Sequence, residues 1–505
     1  MQGQFNITRV FQKYALIFFA VTTLIFFSCI EEEKRAVDKP KEEPQEIGNP
    51  YNILNISPKT EYNISIVNGK IDLVRGAKTS VYQYETELPG GMIIVPKGEL
   101  LKFHVSNSIA DNTSIHWHGL RVPNDQDMKD LNSGASADFE FTLDMTGTHW
   151  YHPHMRPILK QLNAGLYAPF IVKEDYDSKY AGDYVLTLDD WKIDPIKGTI
   201  DFISTGGSHG FSEVVGFFET VNRRTGSNNI YPIDLKKGEI VKLRFINAST
   251  AQSHTLSMDG HTFRVTHLDG HKLTDPYTTN RIRIAPGERV DVELKGIKSE
   301  GTFFIKNERS YGMIIPVVYK GDGVDMVSPF VPGSSEAFPG ISAGMTPDKE
   351  YVLNSTEVRS ADGSHGSHQS GGNGNGNDED EDEDEDEPPI YYTINGKYYV
   401  DGDMSSIDIF ECNVGKVYIL RFRNNDTGMV EHISRHPIHL HGGHFQVISI
   451  NGEPPERETW KDTMVIPPGE YIDVAVKFQY PGHWMLHCHI IDHEDNGMLT
   501  MIHAK

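Results

Sequence analysis

The sequence predicts an all-β protein built from three consecutive β-sandwich domains. Short runs of alternating apolar and polar residues are punctuated by turn residues, with 46 Gly and 27 Pro in 505 residues, and a period of two is the pattern of half-buried strands. One such run occurs three times, as VPKGELLKFHVSN from Val95, LKKGEIVKLRFIN from Leu235 and CNVGKVYILRFRN from Cys412. Other segments repeat in step: APGERVDVELK at Ala285 matches PPGEYIDVAVKF at Pro467, and GTHWYHPH, GTFFIKNE and GHWMLHCH close the three copies. Self-similarity at this spacing marks a repeated architecture. The copies divide the chain at 51–174, 175–345 and 346–505.

The segment before the first copy has its own logic. Arg9 and Lys13 precede the apolar run YALIFFAVTTLIFFSC, which ends at Cys29 and is shorter than the roughly 20 residues that a membrane span prefers. LIFFSC resembles a bacterial lipobox, which implies that residues 1–29 are a lipoprotein signal peptide and that Cys29 becomes a lipidated N-terminus. The charged, Pro-rich stretch 30–50 then reads as a flexible tether. EEEK after Ile30 is similar to the acidic signal of some surface lipoproteins. The expectation is an exported bacterial lipoprotein anchored to the envelope membrane, facing the periplasm or the cell surface.

Composition narrows the partners. The net charge is −24, and ten consecutive acidic residues, Asp378 to Glu387, sit in a His/Gly/Asn and acidic insert at 361–387. No stretch reads as a basic patch, so nucleic acid is excluded as a partner. The only cysteines are Cys29, Cys412 and Cys488. With Cys29 lipidated and Cys488 placed as below, Cys412 has no disulfide partner, and the fold must be held by its core.

Histidines carry the chemistry. Four His-x-His pairs occur, His116/His118, His152/His154, His439/His441 and His487/His489, where chance placement would give about one. Residues i and i+2 of a strand share a face, so each pair presents two imidazoles to one place. Two pairs lie in the first copy and two in the third, so eight imidazoles could hold several metal ions at a domain interface. In HCHIIDHEDNGM, from His487 to Met498, Cys488 points to the face opposite its two neighbours. There it can meet His493, Met498 and His436, and two His, one Cys and a distant Met are the ligands of a blue-copper electron-transfer site.

HWHG, WYHPH, HPIHLHG and HCHIIDHEDNGM together resemble, in order and spacing, the four copper motifs of the multicopper oxidases, with HEDNGM closest to the cuprous-oxidase and bilirubin-oxidase branch. The resemblance covers nearly all the mature chain and implies three cupredoxin-like Greek-key domains holding four copper ions. It assigns type 1 copper to His436, Cys488, His493 and Met498, and type 2 copper to His116 and His439. The type 3 pair takes His118, His152, His154, His441, His487 and His489. Zinc fits less well, since its sites are typically four-coordinate and need no redox path. Aligning HTLSMDGHTFRV with HPIHLHGGHFQV sets His254 on His436, but Ser257 and Asp259 on ligands, so the middle copy is expected to hold no copper. His254, His261 and His267 are then structural.

The implied reaction is one-electron oxidation of a donor at type 1 copper, coupled to four-electron reduction of dioxygen to water at a trinuclear cluster. Protons need carriers, and the resemblance points to Asp127 and Glu494 as catalytic carboxylates. A solvated loop residue is the other reading of Asp127, and Asp492 and Asp495 are expected in a supporting or surface position. The donor stays open. Cuprous-oxidase relatives place an Asp and a Met just before the type 1 His, under a Met-rich insert. Here TGMVEHISRH offers Met429, Glu431 and His432 as possible substrate-metal ligands, Ser434 replaces the Met, and the acidic insert stands in place of the Met-rich one. Carboxylate and imidazole suit Cu(II), Fe(II) or Mn(II) better than Cu(I). A metallo-oxidase in copper or metal homeostasis leads, a laccase-like phenol or bilirubin oxidase is the alternative, and a non-catalytic copper-binding envelope protein is third.

Overall fold

Each of three successive sandwiches is opened by a strand that pairs in parallel with a later strand of its own sheet. The computed structural model describes residues 49–74, 77–194, 196–200, 216, 218–308, 312–357, 390–426 and 435–505. The expected signal peptide with Cys29, nearly all of the tether, the insert 361–387, and Met429, Glu431 and His432 lie outside the described residues. In the first sandwich Glu61–Val74 pairs antiparallel with Ala77–Glu85 and parallel with Leu100–Asn107, in register Glu61 with Lys102. Gly182–Trp191 repeats this with Phe218–Val221 and Ile240–Asn247, and Lys349–Glu357 with Ile390–Ile394 and Tyr418–Asn424. The sheet facing each is three-stranded in the first sandwich and five-stranded in the other two. The five strands run Ile233–Lys237, Ile314–Asp322, Glu300–Asn307, His254–Met258, Arg281–Ile284 in the middle sandwich. In the third they run Phe410–Cys412, Leu499–Ala504, Gly482–Cys488, His436–Leu440, Thr463–Ile466, the same order strand for strand. The prediction of an all-β chain of three cupredoxin-like sandwiches is what the structure shows. No helix among the described residues is long and apolar enough to cross a membrane.

The alternation explains the cores. Leu100–Asn107 buries Leu101, Phe103 and Val105 while Lys102 and His104 face out, and the inward set meets Phe139, Phe141, Phe170 and Trp117 in one cluster. The other two sandwiches enclose equivalent clusters around Phe245 and Phe422. Among the described residues Cys412 and Cys488 form no disulfide, and both are buried.

Where sandwiches meet, the alternation breaks. Every residue of Ile240–Asn247 is buried, including Lys242 and Arg244, because its polar face lies against the end of the first sandwich. A buried charge is tolerated only when paired and hydrogen-bonded. Arg244 reaches Asp183 at 2.6 Å and Asp177 at 2.7 Å, and Lys242 reaches Glu174 and Asp177, both at 3.1 Å. A shared apolar cluster joins Trp150 and Ile171 of the first sandwich, Trp191 and Ile246 of the middle one, and Ile491 of the third.

One backbone contact shows how close the approach is. Gly147 has φ +116, and a Cβ there would lie 2.1 Å from the carbonyl oxygen of Gly270 in the middle sandwich. Gly147→Ala should therefore destabilise the protein by at least about 1–3 kcal/mol, the usual cost of overpacking, and lower the midpoint in scanning calorimetry. An unchanged midpoint would mean that the two sandwiches do not bear on each other there.

Candidate metal centre

The strand pair His436–Leu440 and Gly482–Cys488 is the wall on which two clusters are built. Ile438 stands opposite Cys488 and His439 opposite His487. Because side chains alternate, His436 and Cys488 leave one face, and His439, His441, His487 and His489 leave the other. Strand Gly147–Tyr151 and the residues after it bring His152 and His154 to that second face. An isolated bridge of His116 to His152 adds His116 and His118.

On the first face, His436, Cys488 and His493 form a compact triad, all fully buried. The Cys488 sulfur lies 3.6 Å from His436 Nδ1 and 3.4 Å from His493 Nδ1, and those nitrogens are 3.2 Å apart. His493 is delivered by the short helix Ile491–Asp495 that follows the strand. Met498 is buried in the same core cluster as Cys488, and its carbonyl accepts a hydrogen bond from Cys488 N at 3.1 Å.

On the second face, eight imidazoles converge, four from each of two sandwiches. His118, His152 and His489 form one group and His154, His441 and His487 another, while His116 and His439 meet in a third group that shares His118. Rings from different sandwiches stack in pairs, His116 on His441 at 3.6 Å and His118 on His439 at 3.7 Å between centroids. Most rings turn one nitrogen inward and the other to the protein. His116 and His439 face each other Nε2 to Nε2 at 3.2 Å, as do His441 and His487 at 3.2 Å and His154 and His487 at 3.3 Å.

Several outward nitrogens face an acceptor. Asp127 accepts from His116 Nδ1 at 3.0 Å and from Trp117 N at 3.1 Å, and lies 3.5 Å from His441 Nδ1. It is buried, so the structure replaces the picture of a solvated loop carboxylate with one that bridges two sandwiches. Glu494 is fully buried, 2.9 Å from His487 Nδ1 and 3.4 Å from His154 Nδ1. His152 Nδ1 donates to Pro153 O at 3.0 Å and His439 Nδ1 to Asp462 O at 2.9 Å. An acceptor on one nitrogen fixes the tautomer and leaves the other a lone pair for a metal.

The cluster fits a metal better than it fits protein alone. Among the described residues neither ring nitrogen of His489 has a hydrogen-bond partner, although the ring is fully buried, and such an orphaned group calls for an explanation. Burial, reinforced by the neighbouring imidazoles, holds His116, His154 and His489 well below the usual imidazole range, and burial pushes His152 down to about 3. Neutral rings are the form that binds metal. The donor sets agree with copper: two imidazoles and a thiolate on one face, imidazoles alone on the other.

Two neighbours of the clusters escape a reading of spacing. Asp426 accepts from His436 Nε2, the outer nitrogen, at 2.9 Å, from a position ten residues earlier in the chain that no motif marks. Asp462 opens the strand pair to His439 and lies 3.3 Å from His118 Nε2. The only hint of it was a charged pair, Lys461–Asp462, in an otherwise strand-like run. Asp495 accepts from Ile158 N and Leu159 N at 3.1 and 2.9 Å and so tethers the first turn of helix Ile158–Asn163, and Asp492 is buried. In the middle sandwich Asn307 occupies the register of Cys488, opposite Leu256. His254 is tied to Ser249 at 2.8 Å and to Asn307 at 3.1 Å, His261 to Tyr319 at 2.8 Å, and His267 faces Glu174 at 3.1 Å.

Comparison with known proteins agrees with this geometry. Three family models, each described as multicopper oxidase, match residues 65–177, 182–317 and 383–505. The chain is 26% identical over 471 residues to the multicopper oxidase MmcO of Mycobacterium tuberculosis, covering 86% of this chain and 84% of that one. It is 22% identical over 472 residues to Laccase-1 of Botryotinia fuckeliana, covering 87% and 81%. Among solved structures, a Campylobacter jejuni multicopper oxidase described as a metallo-oxidase superposes with a TM-score of 0.69 at 24% identity, covering 89% of this chain and 93% of that one. The chain belongs to the multicopper oxidase family of copper-dependent, laccase-like oxidoreductases.

Proposed function

We propose that the chain is an exported oxidase with four copper ions. Type 1 copper sits at His436, Cys488, His493 and Met498, type 2 at His116 and His439, and the type 3 pair at His118, His152, His154, His441, His487 and His489. The observation that carries this is the placement of a two-His, one-Cys triad and eight converging imidazoles on opposite faces of one strand pair. When bound, the copper ions would supply one-electron redox chemistry and the reduction of dioxygen to water.

The chain's own residues supply the path and the protons. Cys488 is bonded through its backbone to His487 and His489, so an electron crosses the sheet along a short run of covalent bonds. Asp127 can hold a proton between His116 Nδ1 and His441 Nδ1, and Glu494 between His154 Nδ1 and His487 Nδ1. A non-catalytic envelope protein is disfavoured because every ligand position of the pattern is filled, whereas the middle sandwich has Asn307 in the cysteine register.

For the donor, we favour a reduced metal ion. Asp426 sets a hard oxygen ligand at the outer nitrogen of His436, where an electron would enter, and carboxylates suit Fe(II) or Mn(II) better than Cu(I). A metal-homeostasis role follows, with the lipid of Cys29 tying the protein to the envelope and the 361–387 insert gathering cations. The same Asp426 oxygen could accept a phenolic hydroxyl, which keeps laccase-like oxidation as the second reading.

Oxygen uptake by copper-loaded protein with Fe(II), Mn(II), Cu(I) and a phenol should be faster with a metal ion. Deleting residues 361–387 should slow only the metal reactions. Equal rates of both forms on every metal would refute recruitment by the insert, and faster turnover of the phenol would favour the second reading. Asp127→Asn should lower kcat with every donor about 10²–10⁴-fold, the usual contribution of a positioned proton carrier, with copper content retained. Unchanged turnover would remove Asp127 from the proton path.

A further inference from the structure

The middle sandwich holds none of the grouped histidines, yet it sends a charged side chain to the edge of the cluster. Arg289 begins strand Arg289–Lys295 and is fully buried, where the matching position of the third sandwich carries Tyr471. Its guanidinium is satisfied on every side. Nη1 donates to Asp462 Oδ1 at 2.7 Å and Nη2 to Asp462 Oδ2 at 2.6 Å, a two-point pair. The remaining donors go to Gly287 O at 3.2 Å, Asp269 O at 2.9 Å and Thr148 O at 3.2 Å. One side chain thus binds all three sandwiches, and five donors in a rigid fork are what allows it.

The partner of this arginine touches the histidines. Asp462 Oδ1 lies 3.3 Å from His118 Nε2 and accepts from Thr463 Oγ1 at 2.9 Å, and Asp462 O accepts from His439 Nδ1 at 2.9 Å. His118 comes from the first sandwich and His439 from the third, and both keep their inward nitrogens, Nδ1 and Nε2, for the cluster. Asp269 of the middle sandwich grips the same segment from behind. Its Oδ2 accepts from Asp462 N and Thr463 N, both at 3.2 Å, and lies 3.1 Å from Lys461 Nζ, while Oδ1 accepts from Arg289 N at 2.9 Å. The chain at His118 is moulded to the pair: a Cβ on Gly119, φ +81, would lie 2.1 Å from Arg289 Nη2 and 2.6 Å from Asp462 Oδ2.

We propose that Arg289 is a positioning residue for the trinuclear centre, acting through Asp462 to set the orientation and tautomer of His118 and His439. The copper-free sandwich is on this account part of the metal site rather than a spacer. The inference rests on the copper reading above and adds that the type 2 position depends on a residue that binds no metal.

The test uses Arg289→Lys, which keeps the charge but loses the fork, and the double variant Arg289→Met/Asp462→Asn, which leaves no unpaired buried charge. Each is loaded with copper and dialysed against a chelator, then copper content, the blue absorption band and the type 2 electron paramagnetic resonance signal are measured. Arg281→Met, an exposed site in the same sandwich, is the control. Both variants should keep the full blue band, show an altered type 2 signal and bind type 2 copper about 10–100-fold more weakly, the usual effect of losing an outer partner of a ligand. A wild-type type 2 signal and copper content in both would overturn the proposal. Parallel loss of the blue band would mark Arg289 as a general structural contact and overturn it too. Absence of either signal from the unsubstituted protein would instead refute the copper reading itself.

Discussion

A β-strand sends successive side chains to opposite faces, and at His487–Cys488–His489 that constraint creates the whole device. The cysteine faces a triad within the third sandwich, and its neighbours face a cluster shared with the first. Two side-chain clusters of different character are thereby separated by one thickness of sheet and joined by covalent bonds. The rest of the molecule supports this arrangement. The third sandwich supplies the wall, the first brings four more imidazoles, and the middle one fixes the approach of both.

The electrostatics follow from burial. For seven of the buried imidazoles, His116, His118, His152, His154, His439, His441 and His489, desolvation plus repulsion from neighbouring rings makes the charged form costly and favours the neutral one. Carboxylates are then placed behind the rings rather than among them: Asp127 behind His116 and His441, Glu494 behind His154 and His487, Asp462 behind His118 and His439. Each bridges histidines from two sandwiches, so the outer partners orient the rings and clamp the domain interface at once. At the other interface Arg244 and Lys242 pair with Asp183, Asp177 and Glu174 instead.

Much of this was legible before any coordinates. Period-two alternation and the threefold repeat carry the sandwiches, and His-x-His on strands carries the convergence of rings, because both rest on local geometry. Where the third copy has His439 and His441 the middle copy has Ser257 and Asp259, a departure from the pattern that is plain in the sequence. What stayed hidden depends on contacts between distant segments. Arg289 sits at a position of APGERVDVELK that alternation assigns only to a strand, and nothing local says that its head meets Asp462. Asp426 precedes His436 by a span that follows no periodicity. Alternation puts Lys242 and Arg244 on the polar face of their strand, and nothing local says that another sandwich covers that face and buries them.

The central claim is that Cys488 belongs to one metal environment and its two neighbours to another. Copper-loaded Cys488→Ser protein tests it most directly, by absorption, paramagnetic resonance and metal content together. The account predicts loss of the blue band and of one copper ion, with the type 2 signal and the remaining copper retained. A persisting blue band, or loss of all the copper at once, would contradict it.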